Sequence, residues 1–234
     1  MEPRLSPEFI KQLSPSSKRA IRVAFAVSNQ LQQSAVDTEH LLIGLNEKQE
    51  GVTNNLLTAF GYGEPDQLLP SLATFAGWQV DKEPSIVQAK MNDGELSSLA
   101  YSADVLAIFD QAAEIAKRKG HGVIRARHLL TGLLAMDSAA ATRWLKEIEV
   151  PVAETRDYLI DLPEDTIPSA ESFRALRPAP VEDPVVALTL AQAGERTLLV
   201  TARQHSGVTV SDTASGDPVG QPVKGVAPSS QVTS

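Results

Sequence analysis

The chain has 234 residues, 42% of them hydrophobic and only 5% aromatic, which is length enough to bury a sizeable core built mostly from aliphatic side chains. Its 29 Asp and Glu outnumber 21 Lys and Arg, for a net charge of −8; non-specific binding to nucleic acid or to an anionic membrane needs a basic surface and is disfavoured. No cysteine is present, which excludes disulfides, thiol catalysis and cysteine-ligated metal centres, and fits a cytoplasmic location.

Residues 1–20 lack an apolar core segment and carry Pro3, Pro7 and Pro15, unlike a secretory leader. No run of about 18 apolar residues is present to span a membrane. Three regions differ in texture. Residues 5–163 are rich in Leu and Ala at helical spacing, residues 164–184 form a Pro-rich, acidic linker, and residues 185–234 shift to Val, Thr, Gly and Ser.

In chain order, the first predicted helix spans 14–33, with Ser14 as N-cap and Pro15 at the first helical position, where it costs nothing. The second spans 38–49, capped by Asp37 or Thr38. The third spans 51–60 and ends at Gly61-Tyr62-Gly63. The fourth spans 64–76. Residues 77–97, with Gly77, Pro84 and Gly94, read as an exposed loop. Four more helices are expected near 102–119, 126–136, 138–148 and 151–161.

The two sets of four are an internal repeat. Placing His40 over His128, an offset of 88 residues, superposes HLLIGL (His40 to Leu45) on HLLTGL (His128 to Leu133). Gly44 then falls on Gly132, and Leu56 and Leu57 fall on Trp144 and Leu145. The expected fold is all-α: two tandem four-helix repeats with pseudo-two-fold symmetry, about 5–76 and 98–162, followed by a short β-rich tail. Docking two small units shares a core and leaves a groove between them suited to a peptide.

DTEHLLIGL (Asp37 to Leu45), the Gly51-Val52 helix start, the Phe60-Gly61 ending and the second copy RARHLLTGLL (Arg125 to Leu134) resemble the Clp amino-terminal repeat, the double-repeat N-domain of Hsp100 unfoldases of the ClpA, ClpB and ClpC type. The resemblance covers roughly residues 5–162. It implies a module that receives substrates and adaptor proteins, while ATPase work belongs to separate AAA+ modules. No G-x-x-x-x-G-K-[ST] phosphate loop occurs here, so the chain looks like a stand-alone N-domain or a different fusion.

In the ClpC branch each repeat can bind phosphoarginine, with a hydroxyl near the repeat start on the phosphate and the Glu of T-E-H on the guanidinium. The resemblance places these roles on Ser14 and Glu39 in the first repeat and on Ser102 and Arg127 in the second. Glu39 keeps the carboxylate that a charge-assisted fork needs. Arg127 reverses the sign and should repel a guanidinium, so at most one such site is implied. Arg125 and Ala126 also replace the capping pair Asp37 and Thr38. Cationic residues at a helix start oppose its dipole, so that start is expected to be looser, or to meet an acidic partner, or simply to be a drifted, solvated face.

Other side chains carry weaker signals. His40 and His128 read as helix-start rings bonded to backbone rather than as ligands, since no fixed-spacing carboxylate accompanies them; His121 reads as exposed, and His205 lies in the tail. Lys117, Arg118, Lys119, His121, Arg125 and Arg127 form a basic cluster, readable as a solvated helix end or as a dock for an acidic adaptor or a phosphorylated group. Trp144 reads as core. Trp78, in the inter-repeat loop, is a candidate partner contact, as are Lys117 and Arg118. No carboxylate pair, Ser–His–Asp pattern or G-x-S-x-G elbow is readable, so no catalytic residue, metal or cofactor is expected.

In the tail, three strand-like runs alternate with turn signals at Ala193-Gly194, Ser206-Gly207 and Ser215-Gly216. Residues 185–224 resemble one blade of a WD-repeat β-propeller, with Ser211 standing where Trp would be; residues 225–234 read as disordered. One blade cannot bury its faces, so it is either a remnant of a longer fusion or completed by another chain. The whole reads as a non-enzymatic module whose partner is a protein: a Clp unfoldase, an adaptor or an unfolded substrate. The alternative is a scaffold in which the helical module is a platform and the tail assembles a propeller.

Overall fold

A computed structural model describes residues 5–46, 51–78 and 91–177, and three strands at 185–193, 196–203 and 207–212. The chain divides into two units, residues 1–177 and 178–234.

The first unit is helical. Helix α1 (Pro7–Gln12) precedes the long α2 (Pro15–Gln30), then α3 (Thr38–Leu45), α4 (Val52–Ala59) and α5 (Pro65–Ala76). The short α6 (Asp93–Leu96) precedes the long α7 (Ala103–Arg118), then α8 (Ala126–Leu134), α9 (Ala140–Glu147) and α10 (Val152–Asp161), and α11 (Ala170–Arg174) closes the unit. The eight helices read from periodicity are present, each within a few residues of its expected ends. The hydroxyls of Ser14 and Ser102 cap α2 and α7, accepting from the Ser17 and Val105 amides. Gly77 ends α5 with φ +68°, in the left-handed region that a side chain would strain.

Three short helices were not legible. Helix α6 falls within the expected 77–97 loop, and α1 precedes the expected first helix. Helix α11 lies in the expected linker, where Phe173 is fully buried and packs edge-on against Tyr158. Residues 164–177 therefore belong with the helical unit. A four- to six-residue helix carries too few apolar positions to show a period.

The repeats are fused rather than adjacent. One cluster of buried side chains runs through both, from Ile21 and Leu42 to Phe109, Leu130 and Trp144. Two backbone bridges join them: Leu13 pairs with Ile124, and Val36 pairs with Tyr101. These bridges are images of each other under the 88-residue offset. Each repeat's approach to its long helix thus lies against the other repeat's approach to its HLL helix. Gly44 and Gly132 sit where the long helix and the HLL helix touch. A Cβ on Gly44 would lie 2.1 Å from the Ala20 carbonyl oxygen, and one on Gly132 would lie 2.7 Å from that of Ile108, a second pair related by the same offset.

The second unit contains an antiparallel sheet of β1 (Val185–Ala193), β2 (Arg196–Arg203) and β3 (Gly207–Asp212), in that order. Leu188 pairs with Thr201, and Val200 with Val210. The fourth strand that a propeller blade carries is not among the described residues. His205 and residues 225–234 lie outside them.

Candidate functional site

The crossed bridges create two seams, each built from both repeats. At the first, the cap of α7 meets the start of α3. Ser102 Oγ donates to Asp37 Oδ1 at 2.9 Å, while Asp37 Oδ1 also accepts from the Thr38 amide at 2.7 Å. Thr38 Oγ1 donates to Glu39 Oε2 at 2.8 Å and accepts from the Ala141 amide at the start of α9. Glu39 is only 6% exposed. Burial raises its carboxyl above the ordinary value, against the lowering effect of the Thr38 hydroxyl and of Arg143. This seam holds two neighbouring carboxyl groups, the buried Glu39 bonded to the Thr38 hydroxyl and Asp37 bonded to that of Ser102.

At the second seam, the cap of α2 meets the start of α8. The Ser14 amide donates to the Ile124 carbonyl at 2.9 Å, and Ser17 Oγ donates to the same oxygen at 2.7 Å. The positions equivalent to Asp37 and Glu39 are Arg125 and Arg127, so the seam is opposite in sign. Arg127 is 5% exposed and donates through Nη1 to the Pro163 carbonyl at 2.6 Å. Arg125 pairs with Glu164 at 3.0 Å and Asp165 at 3.3 Å. A cavity of about 220 Å³ opens here, lined by Ser16, Arg19, Gly44, Val52, Arg125 and Ile167 among others.

The structure thus redistributes the expected residues. Among the described residues no hydrogen bond joins Ser14 to Glu39, or Ser102 to Arg127. The Ser102 hydroxyl lies on Asp37 of the first repeat, whereas Ser14 bonds through its amide to Ile124, next to Arg125 of the second. The start of α8 does meet an acidic partner, but within the same chain, at Glu164 and Asp165. The basic cluster is divided: Lys117 and Arg118 are exposed at the end of α7, Lys119 pairs with Asp161, and Arg125 and Arg127 line the seam. Sequence reading missed Asp37 as a ligand of Ser102, together with Arg19, Glu164 and Asp165; the reversal from Asp37 to Arg125 at equivalent positions was the signal for the last two.

The histidines close the helix starts as expected. His40 Nδ1 accepts from the Asp37 amide at 3.0 Å, and His128 Nδ1 from the Arg125 amide at 2.9 Å. An accepting Nδ1 puts the proton of the neutral ring on Nε2. His128 Nε2 then donates to His121 Nδ1 at 2.8 Å. His121 is half-buried rather than exposed, because this bond draws it onto the helix start. Burial lowers both His40 and His128 to about 4. Trp78 stacks on the His40 ring, centroids 4.8 Å apart and planes within 6°, so its indole is committed to the fold on one face. Trp144 is core, its indole N–H bonded to Ser71.

Among the described residues no group of three or more His, Asp or Glu could hold a metal ion, and no helix is long and apolar enough to cross a membrane.

The fold and geometry define a helical module of two interlocked repeats with a polar seam at each junction. The sequence pattern of the family described as the Clp repeat (R) N-terminal domain matches residues 12–148 and 100–195, and the chain belongs to that family. The ATP-dependent Clp protease ATP-binding subunit ClpC of Staphylococcus epidermidis is 20% identical over 149 residues, and that of Staphylococcus aureus (strain USA300) 21% over the same length. Each match covers 64% of this chain and 16% of the relative, so the chain spans about a sixth of the length of these relatives. Among solved structures, the N-domain of ClpV from Vibrio cholerae is 17% identical with a TM-score of 0.49, covering 71% of this chain and 96% of that one. The N-terminal domain of the chaperone ClpD from Arabidopsis thaliana is 20% identical with a TM-score of 0.45, covering 64% and 94%.

Proposed function

We propose that this chain is a non-catalytic module that binds polypeptides, receiving substrates or adaptors of a Clp unfoldase or regulating such an unfoldase. Family membership supports the class of function, and the first seam supplies the observation that carries the reading. There, Glu39 accepts from the Thr38 hydroxyl, which ties it to the start of α9, and the neighbouring Asp37 accepts from Ser102 of the other repeat. This pair of neighbouring carboxyl groups accepts a cationic side chain of a bound segment, which takes over hydrogen bonds now made by the Thr38 and Ser102 hydroxyls. If the segment carries phosphoarginine, Glu39 takes the guanidinium, and Ser102, which reaches this seam through Asp37, is the cross-repeat hydroxyl offered to the phosphate in place of Ser14.

Affinity capture from the source cell's lysate tests this, with the full chain as bait and mass spectrometry as readout. Enrichment of Clp subunits, adaptors or a broad set of substrates is expected, and Glu39→Gln should reduce it. Recovery no greater than with an unrelated helical bait would contradict the reading.

A further inference from the structure

We propose that the second seam is a receptor for an acidic polypeptide segment, and that residues 163–167 of the chain itself occupy it as an internal ligand. The inference rests on the polypeptide-binding reading above and names the chemistry of one of its two seams.

Three arginines, Arg19, Arg125 and Arg127, line one cavity with the Ser16 hydroxyl. Two of them stand where the first seam has carboxylates, so the second seam inverts the preference of the first. Arg127 is almost wholly buried beside Arg125. Burial and the Arg125 charge weaken its hold on its proton, and Glu164 and Asp165 act in the opposite sense. A buried cation beside a second cation needs anions nearby, and the chain supplies them.

The internal ligand is held at its ends and at Glu164, and its other side chains stay exposed. Arg127 binds the Pro163 carbonyl, and the Asn55 side-chain amide donates to the Pro168 carbonyl at 2.9 Å. Between these anchors the Asp165 side chain is 87% exposed and Ile167 is 54% exposed. Exposed ion pairs contribute little. The cavity beside them is walled by Ala20, Gly44, Leu45 and Val52, yet Ile167 leaves it largely unfilled. A partner segment with two acidic residues followed by a larger apolar side chain would keep the arginine contacts and fill that space. Tethering gives residues 163–167 a high effective concentration, so a free peptide competes poorly until the tethered acids are removed.

The test uses the full chain and a fluorescent peptide copying residues 161–168, read by anisotropy. With the Glu164→Gln/Asp165→Asn variant, binding at least tenfold tighter than to the unmodified chain is expected. Adding Arg125→Glu to that variant should remove the gain, and a peptide with Gln and Asn at the two acidic positions should not bind. Should the variant lack a cooperative thermal transition, the unmodified chain gives the same reading at millimolar peptide, through shifts of the Ser16, Gly51 and Val52 backbone amides. Equal binding of acidic and neutral peptides would overturn the proposal, as would no binding in either format. If capture by the full chain still depends on Glu39 in that event, only the acidic receptor falls and the module reading stands.

Discussion

Ser102 of the second repeat donates its hydroxyl proton to the Asp37 carboxylate of the first, at 2.9 Å. Both residues are helix caps, so this one bond couples the starts of α7 and α3 across the repeat boundary. Alanine at either position should cost about 1 kcal/mol, the scale of a lost cap or of a hydrogen bond to a charged group. Urea melts of Asp37→Ala, Ser102→Ala and the double variant should give a coupling energy clearly above zero, while Asp37→Ala and Ser14→Ala should add independently.

Gly44 and Gly132 are required by close approach of backbone rather than by their own dihedral angles. A methyl group at either position meets a carbonyl oxygen of the long helix beneath it. Gly44→Ala and Gly132→Ala should each destabilise by about 1–3 kcal/mol through overpacking. Gly44→Ala should be the worse, since its Cβ would come closer. Denaturant midpoints check this, and stability unchanged by either substitution would contradict the packing described.

Helix α11 should behave as core. Phe173 is fully buried against α10, and Arg177 lies over the Phe60 ring at 4.5 Å. Phe173→Ala should cost about 3–5 kcal/mol and lower the melting temperature of the helical unit in one cooperative step. A separate low-temperature step, or no change, would show that residues 164–177 act as a linker.

Acid should weaken the fold before any carboxylate titrates in the unfolded chain. His40 and His128 are held neutral, with values near 4 against about 6.5 in the unfolded chain. Below pH 6.5 the unfolded chain therefore takes up protons that the folded chain refuses. Stability is full above pH 6.5 and falls toward pH 4, on the order of 1.4 kcal/mol per pH unit for each ring. Glu39, raised above its usual value, acts in the opposite sense: its contribution is present below about 4.5 and is lost as pH rises through its folded value. Urea midpoints between pH 7.5 and 5 should drop with falling pH, and His40→Asn/His128→Asn, which keeps an acceptor for each cap amide, should flatten the slope.

Much of the helical unit was legible because its signals are local. Ser14-Pro15, the doubled HLL-x-GL motif and the aliphatic spacing of 14–33 and 102–119 each act within one helix. The crossing of the repeats was not legible, because Ser14 to Ile124 and Ser102 to Val36 are contacts between segments far apart in the chain, and no pattern within one repeat records them. Ser14 and Ser102 were therefore each read with a residue of their own repeat, whereas their hydrogen bonds across the seams run to the other repeat. Phe173 was missed for a different reason: one buried ring in a short helix among prolines leaves no period to read.

The most direct measurement is quantitative capture by the full chain carrying Glu39→Gln, Ser102→Ala or Ser14→Ala, compared by mass spectrometry with the unmodified chain. A polypeptide site at the first seam requires that Glu39→Gln and Ser102→Ala deplete the same set of captured proteins, and that Ser14→Ala leave that set intact. Depletion by Ser14→Ala together with Glu39→Gln, with Ser102→Ala neutral, would contradict a site shared between the repeats.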